Sequence, residues 1–243
     1  MTDNNIFGQP REPEPATPPE KSVPDAQNEA VTKAVNDLEK ELALPKGFFN
    51  TLAHEDDWSF VIKLHALFES SLGYVVGHKL GDEVMEVVAR LDMNGARGKV
   101  AFARALDLVT PNEVRFLELL SRLRNRCAHG IRQAVEFSLP TYVAGLARDE
   151  RREFLRAIRG DDPDRPFEIG GASVSHQQFV LDNPKTQIWL TSMWVLAGLY
   201  MLKEIEDFVR RKQKALIEHA LDRTPQRPNP LLIAMGIVPA DKE

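Results

Sequence analysis

The sequence predicts an all-α protein, a helical bundle that follows a disordered, proline-rich N-terminal arm. Three long segments with helical apolar periodicity support this fold class, and clear helix breakers separate them. They span residues 58–80, 111–129 and 187–214. In each, apolar side chains recur at steps of three and four residues, which places them on one face of an α-helix.

The composition is that of a soluble protein, with 243 residues, 43% apolar residues and 28% charged residues. This length accommodates one domain with appendages or two small domains. The single cysteine excludes an internal disulfide and fits a reducing compartment. The N-terminus lacks the basic stretch and apolar run of a signal peptide. We therefore expect a cytoplasmic protein.

The prolines divide the chain into an arm, a domain and a tail. Residues 1–28 hold six prolines among acidic and small polar side chains, too little apolar surface to offset the entropy of ordering. We predict that they form a disordered arm, that residues 29–219 form the helical domain, and that residues 220–243 form a proline-rich tail.

Within the domain, the first predicted helix starts at about residue 29 and carries an apolar stripe. After the long helix 58–80, shorter helices lead to the helix 111–129. Residues 131–183 are predicted to be an insertion, with a helix at 142–158 and a hairpin or irregular segment at 167–180.

The last long helix is apolar nearly all round between residues 188 and 202. That stretch is shorter than the roughly 20 residues needed to cross a bilayer. A central bundle helix or a dimer seam explains it better than a membrane anchor, so no membrane association is expected.

The stretch Arg124-Asn-Arg-Cys-Ala-His129 holds most of the candidate chemistry. Threonine, proline and a capping-box glutamate at 110–113 begin its helix, and Gly130 suits its end. Asn125 and His129 are four residues apart and so share a helix face, with Arg122 one turn earlier. Guanidinium, carboxamide and imidazole groups together suit a phosphate or RNA site.

Charge is concentrated in the same region. Residues 90–132 hold nine basic and four acidic side chains, whereas residues 1–45 hold four basic and nine acidic ones. The local excess of positive charge could attract a phosphate backbone. An ordinary solvent-exposed helix face explains the same charges equally well. No metal-ligand spacing, Walker sequence or dinucleotide fingerprint occurs. We therefore expect no metal and no other cofactor.

The motif resembles the Arg-polar-x-x-x-His motif of the HEPN superfamily, whose helical-bundle proteins include many RNA-cleaving toxins. Together with residues 95–99 and 101–109, it is similar to the mannitol operon repressor branch of that superfamily. The resemblance covers roughly residues 31–130. It implies a homodimer that brings two motifs beside one cleft.

For the site, the resemblance implies RNA cleavage without a metal. Arg124 would stabilise charge on the phosphorane, Asn125 would orient the histidine or the phosphate, and His129 would transfer a proton. Glu69 is the candidate supporting acid, and a simple pairing with His65 is the alternative. Four basic residues are candidates for binding RNA or phosphate: Arg97, Lys99, Arg122 and Arg126.

Two functions remain open at this point, beside a third interpretation in which an unrelated helical bundle carries the motif by coincidence. One is a metal-independent endoribonuclease of toxin or defence type, with an antitoxin as its protein partner. The other is a non-catalytic dimeric regulator or adaptor, as the mannitol operon repressor branch implies. In an isolated helix Arg124 and His129 point about 140° apart. Catalysis would therefore need the motif of a second copy of the chain. In a non-catalytic regulator the motif would be structural.

Overall fold

Helix α3 is the central element of a helical bundle, and the predicted all-α class is confirmed. The computed structural model describes residues 23–128, 136–160, 164, 166–169 and 172–223. The first six helices are α1 (Val23–Glu41), α2 (Phe48–His54), α3 (Asp57–Leu80), α4 (Met85–Ala89), α5 (Lys99–Ala105) and α6 (Pro111–Ala128). They are followed by α7 (Leu139–Ala144), α8 (Arg148–Arg159), strands β1 (Pro166–Ile169) and β2 (Ala172–Ser175), α9 (His176–Asp182) and α10 (Pro184–Arg223).

Helix α3 forms where the sequence predicts it because Asp56 caps its first turn. The Asp56 carboxylate accepts a hydrogen bond from the backbone nitrogen of Ser59 at 2.9 Å. Its apolar side chains contact α4, α5, α6 and α10, so α3 is buried on several sides. Gly77 allows the chain after α3 to approach closely, because a Cβ atom there would lie 2.4 Å from the sulfur of Met85.

Helix α6 begins with the predicted capping box. The backbone nitrogen of Thr110 donates to the Glu113 carboxylate at 2.6 Å, and the backbone nitrogen of Glu113 donates to the Thr110 hydroxyl at 3.3 Å. Leu117, Leu120 and Leu123 are fully buried. These leucines fix the rotation of α6 and so determine which of its side chains face solvent.

Helix α1 starts earlier than predicted, at Val23, within the segment assigned to the disordered arm. Pro24 explains the difference, because proline favours the first turn of a helix as well as a disordered segment. Residues 1–22 of the arm and 224–243 of the tail lie outside the described residues. The end of α1 is fixed by buried Glu39, whose carboxylate accepts from the backbone nitrogens of Gly47 and Phe49.

Residues 139–182, predicted to be part of an insertion, contribute to the main core. Leu139, Val143, Phe154 and Val180 are buried in it. The predicted single helix 142–158 is two helices, α7 and α8, separated at residues 145–147. Of the segment 167–180, predicted to be a hairpin or irregular, the first part forms the antiparallel pair β1 and β2, whereas residues from His176 onward form helix α9.

Helix α10 is 40 residues long, and its first half packs on the bundle. Ile188, Leu196 and Leu199 are buried there. Further along, ion pairs attach it to the end of α3, with His78 Nε2 2.6 Å from Asp207 Oδ1 and Lys79 paired with Glu206. Residues 211–219 are all exposed, so α10 projects from the bundle beyond residue 210.

Two described helices, α3 and α10, are long and apolar enough to cross a membrane by length and composition alone. Core helices of soluble proteins meet the same criterion. Of the apolar window in α3, 56% is buried inside the bundle, compared with 28% in α10. Burial therefore accounts for the apolar character of α3, whereas much of the apolar surface of α10 faces outward.

Candidate functional site

The exposed face of α6 carries the candidate residues of the motif. Arg122, Arg124, Asn125 and Arg126 are all exposed, and we call them the motif surface. In the part of the chain that the structure describes, no carboxylate lies within ion-pair distance of these three arginines. Their guanidinium groups are therefore available to an anion.

Helical geometry divides the motif surface into two edges. At about 100° per residue, Asn125 lies near the centre of the exposed face. Arg124 lies on one edge, and Arg122 and Arg126 lie together on the other. The Arg124 guanidinium donates to the Asn125 side-chain oxygen at 3.1 Å. The structure thus brings Arg124 and Asn125 together, and it separates them from the other two arginines.

The edge with Arg122 and Arg126 borders a cleft of about 720 Å³. We call it the tyrosine cleft, because the half-buried ring of Tyr142 lies in it and the Arg126 guanidinium stands 5.6 Å above that ring. Phe137 lies against Tyr142, with ring centroids 6.4 Å apart, and Glu150 is on the rim. The cleft combines cationic, aromatic and acidic groups.

Arg122 is shared with a second cleft of about 640 Å³ between α5 and α6. Asn94, Arg104 and Glu118 also line this cleft. Arg97 is exposed in the loop that precedes α5. Exposed arginines of the predicted basic region therefore surround α6. Both clefts lie on the side of α6 that carries Arg122.

The C-terminal end of α6 is held by the start of α3. The indole nitrogen of Trp58 donates to the backbone oxygen of Cys127 at 3.2 Å. Cys127 is buried, and burial raises the pKa of its thiol to about 11, with a further contribution from the carboxylates of Asp57 and Asp56. Cys127 is thus a packing residue of the motif and remains a neutral thiol.

Lys99, predicted to bind RNA or phosphate, is buried instead. Its ammonium group lies 3.6 Å from a Glu69 carboxylate oxygen and donates to the backbone oxygen of Ala89 at 3.1 Å. Gly73 makes room for its stem, because a Cβ atom there would lie 3.2 Å from Lys99 Cε. Lys99 therefore satisfies its charge inside the protein and does not contribute to the exposed site.

Glu69 bridges this lysine and His65, and its second oxygen lies 3.8 Å from His65 Nδ1. The pairing with His65, the alternative role considered for Glu69, is therefore present. His65 Nε2 lies 3.4 Å from the hydroxyl of Ser121, a residue of α6 one turn before Arg124. The sequence indicated only the four-residue spacing of His65 and Glu69. The contacts with Lys99 and Ser121 depend on how three helices pack.

His65 stays neutral over a wider pH range than an exposed histidine. Burial lowers the pKa of its imidazole below 6.5, the positive charges of Arg124 and Lys99 add to that effect, and Glu69 opposes it. On acidification the unfolded chain takes up this proton before the folded protein does. The contribution of His65 to stability is therefore complete above pH 6.5, and it is lost as pH falls from 6.5 through the folded-state pKa.

We expect His65→Gln to reduce the loss of folding stability at acidic pH. The wild-type free energy of unfolding should fall more steeply than that of the variant as pH drops below about 6.5, because only the wild type must keep a buried imidazole unprotonated. Urea unfolding at several pH values measures this difference. His54→Gln, at an exposed position, is the matched control and should leave the profile parallel to wild type. Parallel profiles for His65→Gln and wild type would contradict this account.

His129, the predicted proton-transfer residue, lies outside the described residues and directly follows the last described residue of α6. No group of three or more His, Cys, Asp or Glu side chains within the described ranges could hold a metal ion. Tyr142 has no counterpart among the predicted site residues, because nothing in the sequence near it indicates contact with α6.

Comparison of the chain with family models, with curated proteins and with solved structures finds no significant match in any of the three.

Proposed function

We propose that this protein acts on RNA as a metal-independent endoribonuclease of HEPN type, in a toxin or defence role. The observation that carries the proposal is the exposed, mutually bonded pair of Arg124 and Asn125. Buried leucines hold α6 in place, so packing does not require this pair. Exposed polar side chains on a helix that is held in place by its buried face can bind a ligand. The planar guanidinium group of arginine can donate two hydrogen bonds to phosphate oxygens.

The two edges of the motif surface fit a single RNA strand that crosses α6. A helix with its side chains is about 10–12 Å across, so one strand can contact both edges. Arg122 and Arg126 would bind phosphates beside the tyrosine cleft, where Tyr142 offers a ring for a nucleobase. Arg124 would bind the phosphate that reacts.

In the proposed reaction, the ribose 2′-hydroxyl attacks the neighbouring phosphorus. The 2′-oxygen gives up its proton as it bonds to phosphorus, the bond between phosphorus and the 5′-oxygen breaks, and the departing 5′-oxygen takes up a proton, so that a 2′,3′-cyclic phosphate forms. His129 carries out one of these two proton transfers. Arg124 stabilises the charge that develops on the phosphoryl oxygens. The resemblance to HEPN proteins also supports a homodimer in which the motif helices of two copies border one cleft.

The test is cleavage of end-labelled single-stranded RNA by the purified chain in the presence of EDTA. We expect discrete products that end in a 2′,3′-cyclic phosphate. A substrate with one 2′-deoxynucleotide at the cut position should stay intact there, because it lacks the attacking hydroxyl. RNA that remains uncut, or DNA cut equally well, would refute the ribonuclease proposal.

The second candidate function is a non-catalytic dimeric regulator that resembles the mannitol operon repressor branch. One observation favours it: within the described part of the chain, the predicted supporting acid Glu69 contacts Lys99 and His65. Intact RNA together with specific binding of the chain to a protein or nucleic-acid partner would support this function.

A further inference from the structure

The side of α10 that faces away from the bundle carries a row of apolar side chains, which Lys212 interrupts between Phe208 and Leu216. Six large exposed side chains form it, and we call them the outer stripe. They are Leu190, Trp194, Met201, Ile205, Phe208 and Leu216. Trp194 is 80% exposed, far more than a tryptophan that serves the core of its own domain.

The rotation of α10 is fixed, so the outer stripe cannot turn toward the bundle. Ile188, Leu196 and Leu199 are buried on the opposite side. Asp207 and Glu206 bind His78 and Lys79 on that same side. At about 100° per residue, the outer stripe lies roughly opposite these contacts.

The outer stripe is large enough to be half of a stable interface. It extends over about 39 Å of helix, at about 1.5 Å per residue. Its exposed fractions and about 150–250 Å² per fully accessible large side chain give roughly 500–900 Å² of apolar surface. A typical specific interface buries about 800 Å² on each partner, so one helix of this surface can support such an interface.

The spacing within the outer stripe favours another helix as its partner. Trp194, Met201 and Phe208 recur every seven residues, the repeat by which two α-helices pack along a seam. A membrane surface or an unstructured peptide does not require this repeat.

Charges beside the outer stripe indicate a second copy of the same helix, running antiparallel. Glu204 lies four residues before Phe208 and pairs with Lys203 of its own helix at 2.9 Å. Lys212 lies four residues after Phe208, with its ammonium group 4.8 Å from the centroid of that ring. When two copies cross with Phe208 at the two-fold axis, Glu204 of each copy faces Lys212 of the other. A symmetric interface of this kind is self-complementary. A parallel pair would instead place Glu204 opposite Glu204.

We propose that α10 pairs with α10 of a second copy of this chain, antiparallel and centred on Phe208. Residues 211–223 of each helix then lie along residues 193–205 of the other, which carry Trp194, Met201 and Ile205 of the outer stripe. This surface is separate from the motif surface and does not depend on the ribonuclease proposal. It gives the protein a dimer contact even where the motif helices are disrupted.

The first test is the mass of the protein in solution at micromolar concentration, by light scattering after size exclusion. Wild type should have about twice the 27.4 kDa chain mass. Phe208→Asp should raise the dimer dissociation constant about 100-fold or more, because the change occurs twice at the centre of the interface. Val87→Asp, at a side chain of α4 that is 63% exposed, is the matched control and should remain dimeric.

Charge reversal tests the antiparallel register. Glu204→Lys should weaken the dimer, and adding Lys212→Glu should restore it. Cysteine pairing gives an independent readout: Phe208→Cys should cross-link to itself on oxidation. Met201→Cys should cross-link only when mixed with Ala215→Cys, whereas a parallel pair would cross-link Met201→Cys alone.

Three outcomes would overturn the proposal. One is a dimer that Phe208→Asp leaves unchanged, which would leave the motif helix as the candidate interface. Another is a monomeric wild type that floats with anionic lipid vesicles, which would assign the outer stripe to a membrane. The third is a monomeric wild type that does not bind vesicles. Because Phe208 is exposed, an unchanged circular dichroism melt should show that Phe208→Asp retains the fold.

Discussion

Arg124→Ala and His129→Ala should each slow RNA cleavage by about 10²–10⁴-fold. Loss of a positioned proton-transfer group typically has this effect on rate. Loss of a group that stabilises developing charge costs about 10²–10³-fold. Arg124 is exposed and, within the described part of the chain, bonds only to its neighbour Asn125, so its removal should change stability by no more than about 0.5 kcal/mol. Single-turnover cleavage and thermal melting measure the two effects separately.

The matched control for these variants is Arg152→Ala, which removes an exposed arginine from α8. It should cut RNA as fast as wild type. Cleavage by His129→Ala at the wild-type rate would show that the motif is not catalytic. A melting temperature lowered by many degrees in Arg124→Ala would instead favour a structural motif, in which a buried bridge loses one partner at a cost of roughly 3–5 kcal/mol.

Glu69→Leu should lower the free energy of unfolding by about 2–4 kcal/mol. Among the described residues, the change leaves the buried Lys99 ammonium with the backbone carbonyl of Ala89 as its remaining partner. Removing one member of a buried ion pair typically costs about 3–5 kcal/mol. Glu69 is partly exposed, so water offsets some of that cost. Urea denaturation at neutral pH measures the loss.

The double variant Glu69→Leu with Lys99→Leu should recover most of that stability, because both charges are gone and the space is filled by apolar atoms. Phe102→Leu, on the exposed side of α5, controls for leucine at a position near the pair. If Glu69→Leu kept full stability but lost RNA cleavage, the role of Glu69 as a supporting acid would be restored.

The parts of the fold that the sequence predicts best are those specified by neighbouring residues. The start of α6 is one example, since Thr110 and Glu113 cap each other within four residues. The buried leucines of α6 and the apolar face of α3 follow from the helical period in the same way. Local signals of this kind suffice to place Arg124 and Asn125 on an exposed helix face.

The parts that could not be predicted depend on contacts between distant segments. From the sequence, Lys99 is predicted to be an exposed cation. It is buried because α5 packs against Gly73 and Glu69 of α3. Tyr142 of α7 lies against Arg126 of α6, a contact that no spacing in the sequence specifies. For the same reason, the helices after residue 138 belong to the core although their sequence resembles an insertion.

The buried thiol of Cys127 has a consequence for how this protein responds to oxidants. Because burial raises the pKa of this thiol to about 11, very little of it is ionised at pH 7, and the thiolate is the form that attacks peroxides and disulfides. An oxidative burst therefore leaves Cys127 unmodified while the protein is folded, although it sits between the residues of the motif. We therefore expect that oxidation of Cys127 does not regulate the motif surface.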